Sequence, residues 1–285
     1  MKKFLKFILI IVIVVLAASA AGFALKPEIR FYAEEIIEIF KPAEKLNEIS
    51  PDGFTELSFD DLKYGRNCTF DQSMILVSKS APLPADFEAQ LTQYENTEAY
   101  INTCAAKSFI EMREHIQEKF GKRLMIMSAY RSSGEQLELY NNDEDGVAAK
   151  PGESEHETGL GIDVYVKYFS GSSFVKSEIG RYVNENCGDY GFIIRYPLCQ
   201  KKVTGFSYEP WHIRYVGLPH SKIIQENSLT FEEYLKNLKI DKFYEYEDYI
   251  ISKQDCSSVL IPEEYESVTI SPDNEGNYII TVKKV

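Results

Sequence analysis

The chain has 285 residues, of which 44% are hydrophobic and 26% charged, and its formal net charge is −13. This is the composition of a globular protein, long enough for one mid-sized domain plus additions. The acidic balance, with no basic stripe, argues against a nucleic-acid-binding protein.

At the N-terminus, Lys2, Lys3 and Lys6 precede an uncharged apolar run from Phe7 to Leu25. In helical form that run spans about 28 Å, close to the apolar thickness of a bilayer. The lysines are expected to stay cytoplasmic, which puts the rest of the chain outside. Residues 1–25 therefore read as a membrane anchor or a signal peptide. Ala18-Ser19-Ala20 offers a cleavage site, while the length of the run favours an anchor. Residues 26–60 read as a stalk. It is expected to be partly helical between Pro27 and Glu48, with Ile36, Ile37, Phe40 and Leu46 on its apolar side. The turn cluster Ser50-Pro51-Asp52-Gly53 closes it.

A main domain is expected over 61–228. Met74 to Val77 has strand character. Glu98 to Phe120 reads as an amphipathic helix, with Ala99, Ile101, Ala105, Phe109, Met112 and Ile116 near helical spacing and Gly121 as its stop. Leu124 to Met127 reads as a buried strand leading into Ser128-Ala129-Tyr130-Arg131-Ser132. A short helix follows from Glu135 to Tyr140, and then a loop from Asn141 to Glu155. Ile162 to Val166 alternates, with Ile162, Val164 and Val166 on one face and Asp163 and Tyr165 on the other. Phe174 to Asn186 reads as a helix, and Tyr190 to Tyr196 as a strand. If Trp211 to Val216 is extended, His212 and Arg214 share a face.

Residues 229–285 form a C-terminal helix and a small β appendage. Thr230 and Glu233 make a capping box for a helix over Phe231 to Leu238. Val268 to Ile270 and Tyr278 to Val282 read as a hairpin. Phe243, Tyr244, Tyr246 and Tyr249 suit either the core of this appendage or a surface that binds a polymer or a partner protein. Of the five cysteines, Cys187 and Cys199 make the best candidate disulfide; buried free thiols are the alternative.

Chemistry concentrates in two segments. One is Ser154-Glu155-His156-Glu157-Thr158-Gly159-Leu160-Gly161-Ile162-Asp163, and the other is Glu209-Pro210-Trp211-His212. His156 and Asp163 cannot meet in one continuous strand or one helix, so the chain must turn between them, and Thr158-Gly159 and Gly161 permit it. His212, on a strand antiparallel to the first, stands beside Asp163. His156, Asp163 and His212 then form a three-ligand set suited to Zn²⁺ with a fourth position left for water. Glu209, three residues before His212, faces the open side as the base. Arg131, held in a turn after a buried strand, is the candidate oxyanion stabiliser. Trp211 reads as a packing residue or a substrate platform, and Tyr130 is open in the same way. His115 and His220 read as incidental.

At these residues the chain resembles the VanY-type D-alanyl-D-alanine carboxypeptidases. The matching pieces are Ser128 to Ser132 with Gln136, Pro151 to Val164, Tyr190 to Pro197, and Glu209 to Gly217, in family order over roughly residues 70–220. The resemblance implies an α+β fold, a small antiparallel sheet flanked by helices. It implies zinc on His156, Asp163 and His212, Glu209 as catalytic base, and Arg131 stabilising the tetrahedral intermediate. Ser154 and Gln136 match positions that line the substrate pocket. The implied reaction is hydrolysis of the terminal D-Ala-D-Ala bond of peptidoglycan stem peptides at the outer face of a bacterial membrane. An LD-carboxypeptidase of the same fold and a non-catalytic wall-binding protein remain as alternatives.

Overall fold

A computed structural model describes residues 26–285 apart from 44, 45, 64, 66, 145, 256 and 257. The apolar run expected as an anchor lies outside the described residues. No helix among the described residues is long and apolar enough to cross a membrane.

The architecture is α+β, built around two main sheets, a four-stranded antiparallel one and a six-stranded one in which Ser267–Pro272 and Cys68–Phe70 pair in parallel. The first holds the site. Its strands are Met125–Ser128, Gly161–Tyr165, Phe192–Ile194 and His212–Tyr215. They lie in the order Met125–Ser128, Gly161–Tyr165, His212–Tyr215, Phe192–Ile194, and every pair is antiparallel. Counted in chain order among the described residues, these four strands are β6, β7, β8 and β9. The alternation at 162–166 holds: Ile162, Val164 and Val166 are buried, and Asp163 and Tyr165 are half-buried on the other face.

The helix over Thr103–Phe120 packs on the buried face of this sheet. Its buried positions Ala105, Phe109, Met112 and Ile116 recur at helical spacing. It starts later than the sequence pattern suggests because Asn102 caps it by accepting from the Cys104 backbone N–H. Tyr100–Asn102 pairs instead as a short strand with Leu91–Gln93. Gly121 ends the helix in the left-handed region at φ 64°. The expected helix over Phe174 to Asn186 is divided by Ser177, which caps an α-helix from Glu178 to Asn186 after a 3-10 stretch at Gly171–Lys176. Met74 to Val77 is buried but is not a strand. Its carbonyls meet side chains rather than a ladder, with Arg214 Nη2 donating to Ile75 O at 2.7 Å and Asn274 Nδ2 to Leu76 O at 3.0 Å.

The second sheet has six strands, in the order Asn47–Ile49, Lys242–Tyr246, Tyr249–Gln254, Tyr278–Lys283, Ser267–Pro272, Cys68–Phe70. The hairpin expected near 268–282 is present. The segment expected as a stalk supplies Asn47–Ile49 to this sheet, and Phe54–Ser58 pairs with Ser258–Pro262. In the helix Pro27–Ile39, Phe31 is the buried side chain while Ile36, Ile37 and Phe40 are exposed, the reverse of the expected apolar side. Tyr32 accounts for part of this orientation, since its ring packs edge-on against Tyr208 at 6.1 Å.

The two sheets are not separate bodies. One apolar cluster contains Met74, Ile193, Val216, Phe231, Tyr244, Ile251 and Ile279, and so draws on both. Phe243 and Tyr244 are buried, which accounts for them as core residues. The capping box at Thr230 and Glu233 forms as expected. Buried His220 bonds Tyr234 Oη at 2.6 Å and Thr281 Oγ1 at 2.7 Å, joining the C-terminal helices to the second sheet. The expected disulfide is absent, because Cys187 is buried where its helix ends while Cys199 lies exposed on a turn, and both are free.

Candidate metal centre and cleft

Asp163 lies in the middle of β7 and His212 opens β9, and the two are register partners. Paired residues leave a sheet on the same face, so His212 Nδ1 comes 3.0 Å from Asp163 Oδ1. His156 arrives from a 3-10 turn, Glu155–Thr158, that ends at Gly159 with φ 68°. A Cβ at Gly159 would stand 2.8 Å from the Asn102 backbone N, so the turn needs glycine there. Asn102 is fully buried and donates Nδ2 to Thr158 O at 3.0 Å, which fixes the turn against the capped helix. His156 Nε2 then lies 3.4 Å from Asp163 Oδ2. One donor atom from each of His156, Asp163 and His212 falls within 4.8 Å of the others.

These residues fit zinc. His156 donates Nδ1–H to Ala129 O at 2.8 Å, which leaves the Nε2 lone pair facing Asp163. The point where the donors meet favours positive charge. Burial alone would depress the His212 imidazole, but Asp163 and Glu155 outweigh it and lift the group to about 9. Burial alone would likewise raise the Asp163 carboxyl, yet the two imidazoles hold it below the ordinary carboxylate range. Two imidazoles and one carboxylate at this spacing are a donor set for tetrahedral zinc with one position open.

Glu209 and Arg131 flank this point. Glu209 Oε2 is 4.0 Å from His212 Nδ1. Burial raises the Glu209 carboxyl above its usual range; His212 opposes that shift and Asp163 adds to it. Its loop is held from behind, where buried Asn184 donates Nδ2 to Pro210 O at 2.9 Å. Arg131 donates to Gln136 Oε1 at 2.7 Å and to Ser128 Oγ at 3.1 Å, two neutral partners that orient the guanidinium without discharging it. Its backbone N–H also bonds His156 O at 3.0 Å, which links the arginine turn to the ligand turn.

The three donors, Glu209 and Arg131 open onto a cleft of about 200 Å³. Ser154, Gln136 and Trp211 line it as well, and Leu139 and Val147 form an apolar rim. Gln136 acts through Arg131 and is itself buried. Tyr130 does not line the cleft; its backbone bonds Tyr100 O at 2.9 Å and its place is beside that strand.

Several residues near the donors lie within the matching segments, but the sequence does not disclose what they contact. Glu155, fully buried, accepts from Arg195 Nε at 2.6 Å and from Arg214 Nη1 at 2.7 Å. Arg195 also pairs with Glu232 at 2.7 Å. Burial would raise the Glu155 carboxyl, but the two guanidiniums keep it far below the ordinary range. Breaking such a buried pair by removing one partner typically costs about 3–5 kcal/mol. Tyr196 packs its ring 4.9 Å from the His212 ring. The ion pairs join residues 37 to 59 apart in sequence, so no local spacing discloses them.

The family model for VanY, D-alanyl-D-alanine carboxypeptidase, matches residues 98–218. A D-alanyl-D-alanine carboxypeptidase of Enterococcus faecium is 38% identical over 195 residues, which are 64% of this chain and 61% of that relative's length. Among solved structures, the vancomycin-resistance D,D-dipeptidase VanXYg in complex with a D-Ala-D-Ala phosphinate analogue gives a TM-score of 0.67 at 27% identity, covering 81% of this chain and 98% of that one. The LdcB LD-carboxypeptidase gives 0.53 at 36% identity, covering 57% of this chain and 86% of that one. A VanY D,D-pentapeptidase mutant from a VanB-type cassette, in complex with Zn(II), gives 0.52 at 30% identity, covering 57% and 98%. The motifs, the antiparallel sheet that aligns them and this shared extent lead to one conclusion: the chain belongs to the VanY family of D-alanyl-D-alanine carboxypeptidases, which are zinc metallopeptidases.

Proposed function

We propose that this protein hydrolyses the terminal D-Ala-D-Ala peptide bond of peptidoglycan stem peptides and releases D-alanine. The reading is carried by the meeting of His156, Asp163 and His212 donor atoms within 4.8 Å on a cleft that Glu209 and Arg131 share. His156, Asp163 and His212 hold the metal. Zinc bound there supplies a Lewis acid for the scissile carbonyl and acidifies water at neutral pH. Glu209 takes a proton from the attacking water on one of its carboxylate oxygens and passes it to the leaving D-alanine nitrogen. Burial raises its proton affinity above that of an ordinary carboxylate, which suits a group that must accept and return a proton. Arg131, oriented by neutral partners rather than paired with a carboxylate, stabilises the oxyanion that develops on the carbonyl. Gln136 and Ser128 hold the guanidinium in that orientation, while Ser154 and Trp211 bound the pocket for the substrate's end.

The likeness to the LdcB LD-carboxypeptidase supports a second reading, cleavage of a tetrapeptide stem. Mass spectrometry of muropeptides after digestion separates the two. Loss of one D-alanine from a pentapeptide with an intact tetrapeptide is the expected result, and trimming of the tetrapeptide alone would move the assignment to the LD activity.

Residues 1–25 hold the catalytic domain at the extracytoplasmic face in this proposal. Its support is the uncharged run Phe7 to Leu25 behind Lys2, Lys3 and Lys6. Membrane fractionation with protease digestion of intact cells tests it: a membrane-bound, protease-accessible domain is expected, and a protected cytosolic one would refute it.

A further inference from the structure

Two buried polar atoms beside the metal centre have no hydrogen-bond partner among the described residues: Glu155 Oε2 and His212 Nε2. They face each other at 3.5 Å. Everything around them keeps that approach in place. Gly161 lies under both groups, and a Cβ there would come 3.0 Å from His212 Nε2 and 3.1 Å from the Glu155 Cβ. Arg195 and Arg214 both bind the other carboxylate oxygen, Oε1, and leave Oε2 for the imidazole. Arg214 is anchored in turn on Ser73 O at 2.9 Å and Ile75 O at 2.7 Å. The side chains of Glu155, Arg195 and Arg214 are at most 1% exposed, so water does not compete for these contacts.

We infer that Glu155 is the positioning residue for His212. It accepts the Nε2–H, fixes the tautomer that leaves the Nδ1 lone pair toward Asp163, and sets the ring's orientation for the metal. A carboxylate on the far nitrogen of a metal-binding imidazole orients the ring and raises its basicity, and losing such a partner typically costs about 10–100-fold in metal affinity. The arginine pair fixes Glu155 in place for this task through its Oε1. His156 uses a different device, a backbone carbonyl, for the same end. The two histidines are therefore presented through opposite ring nitrogens, Nε2 for His156 and Nδ1 for His212.

The inference rests on the reading that His156, Asp163 and His212 hold zinc, and its test separates the two. The full chain, stripped of metal, is titrated with zinc against a fluorescent chelator, together with Glu155→Gln and Glu232→Gln. Glu232→Gln removes the same charge from the same arginine network without touching His212. Wild-type protein that takes up no zinc at this site would refute the metal reading, and the inference with it. Zinc uptake with about 10–100-fold weaker affinity in Glu155→Gln and unchanged affinity in Glu232→Gln is expected. Equal affinity in wild type and Glu155→Gln, or equal weakening in both variants, would overturn the positioning role and leave the metal reading standing. Should Glu155→Gln fail to fold, ¹H–¹⁵N imidazole spectra of the zinc-loaded wild type decide. A protonated His212 Nε2 with the metal on Nδ1 supports the inference, and the opposite tautomer overturns it.

Discussion

Asp163 and His212 are directly paired across β7 and β9, and their side chains meet at 3.0 Å on the face of the sheet that opens to the cleft. The backbone ladder itself therefore sets the distance between two of the three proposed ligands. Loop motion has little scope to alter it. His212→Ala is expected to abolish both zinc uptake and D-alanine release while the sheet stays folded. Metal analysis of the purified variant, with circular dichroism as the control, checks this.

Glu209 is near the centre but is not one of the three converging donors. Glu209→Gln is expected to retain zinc and to lose about 10²–10⁴-fold in kcat, the usual range for general acid–base catalysis. Parallel zinc analysis and steady-state kinetics separate the two effects. Loss of the metal would place Glu209 among the ligands instead.

Arg131 is oriented by Gln136 and Ser128 rather than neutralised by a carboxylate. Arg131→Ala is expected to lower kcat by about 10²–10³-fold. Gln136→Leu leaves the charge but frees its orientation, so a smaller fall in kcat with little change in KM is expected. A change confined to KM in both variants would assign Arg131 to ground-state binding.

His220 predicts a pH dependence of stability away from the metal centre. Burial depresses its pKa from 6.5 to about 3. A group whose folded pKa is depressed contributes stability that is complete above pH 6.5 and is lost as the pH falls toward 3, because the unfolded chain takes up a proton that the folded chain refuses. The slope for one such group is about 1.4 kcal/mol per pH unit. Urea unfolding at several pH values between 6 and 4.5 is expected to show a shallower loss for His220→Gln than for wild type. Identical slopes would mean that His220 is not held neutral by the fold.

The second sheet is tied to the loop beneath the site. Met74 N–H donates to Ser271 Oγ at 2.9 Å, Leu76 N–H to Asp273 O at 3.1 Å, and Asn274 Nδ2 to Leu76 O at 3.0 Å. The carbonyls of Ser73 and Ile75 in that loop hold Arg214. Deleting residues 240–285 is therefore expected to destroy solubility or activity, not merely wall retention. A truncated protein with unchanged turnover would show the sheet to be dispensable.

The site was more legible in the sequence than the surrounding fold. Asp163 and His212 could be paired because a strand's period of two is visible in Ile162, Val164 and Val166, and the glycines before Asp163 announced the turn. The helix boundary at Asn102 was misplaced because apolar spacing ran on through Ala99 and Ile101, which belong to or flank a strand. Asn47–Ile49 and Phe54–Ser58 were hidden because their strand partners lie about 200 residues away and nothing local marks the pairing. Met74 to Val77 resembled a strand because burial, not pairing, selects its side chains. Glu155 was hidden for another reason: a buried carboxylate beside a ligand reads from sequence as one more acid until its arginines are brought near.

The most direct test of the central claim is release of free D-alanine from a synthetic pentapeptide stem by the purified protein, measured with chelator and again after zinc is restored. Release that stops with chelator and returns with zinc is predicted. Release that continues after the metal is removed, or the absence of release from both pentapeptide and tetrapeptide with zinc bound, would contradict it.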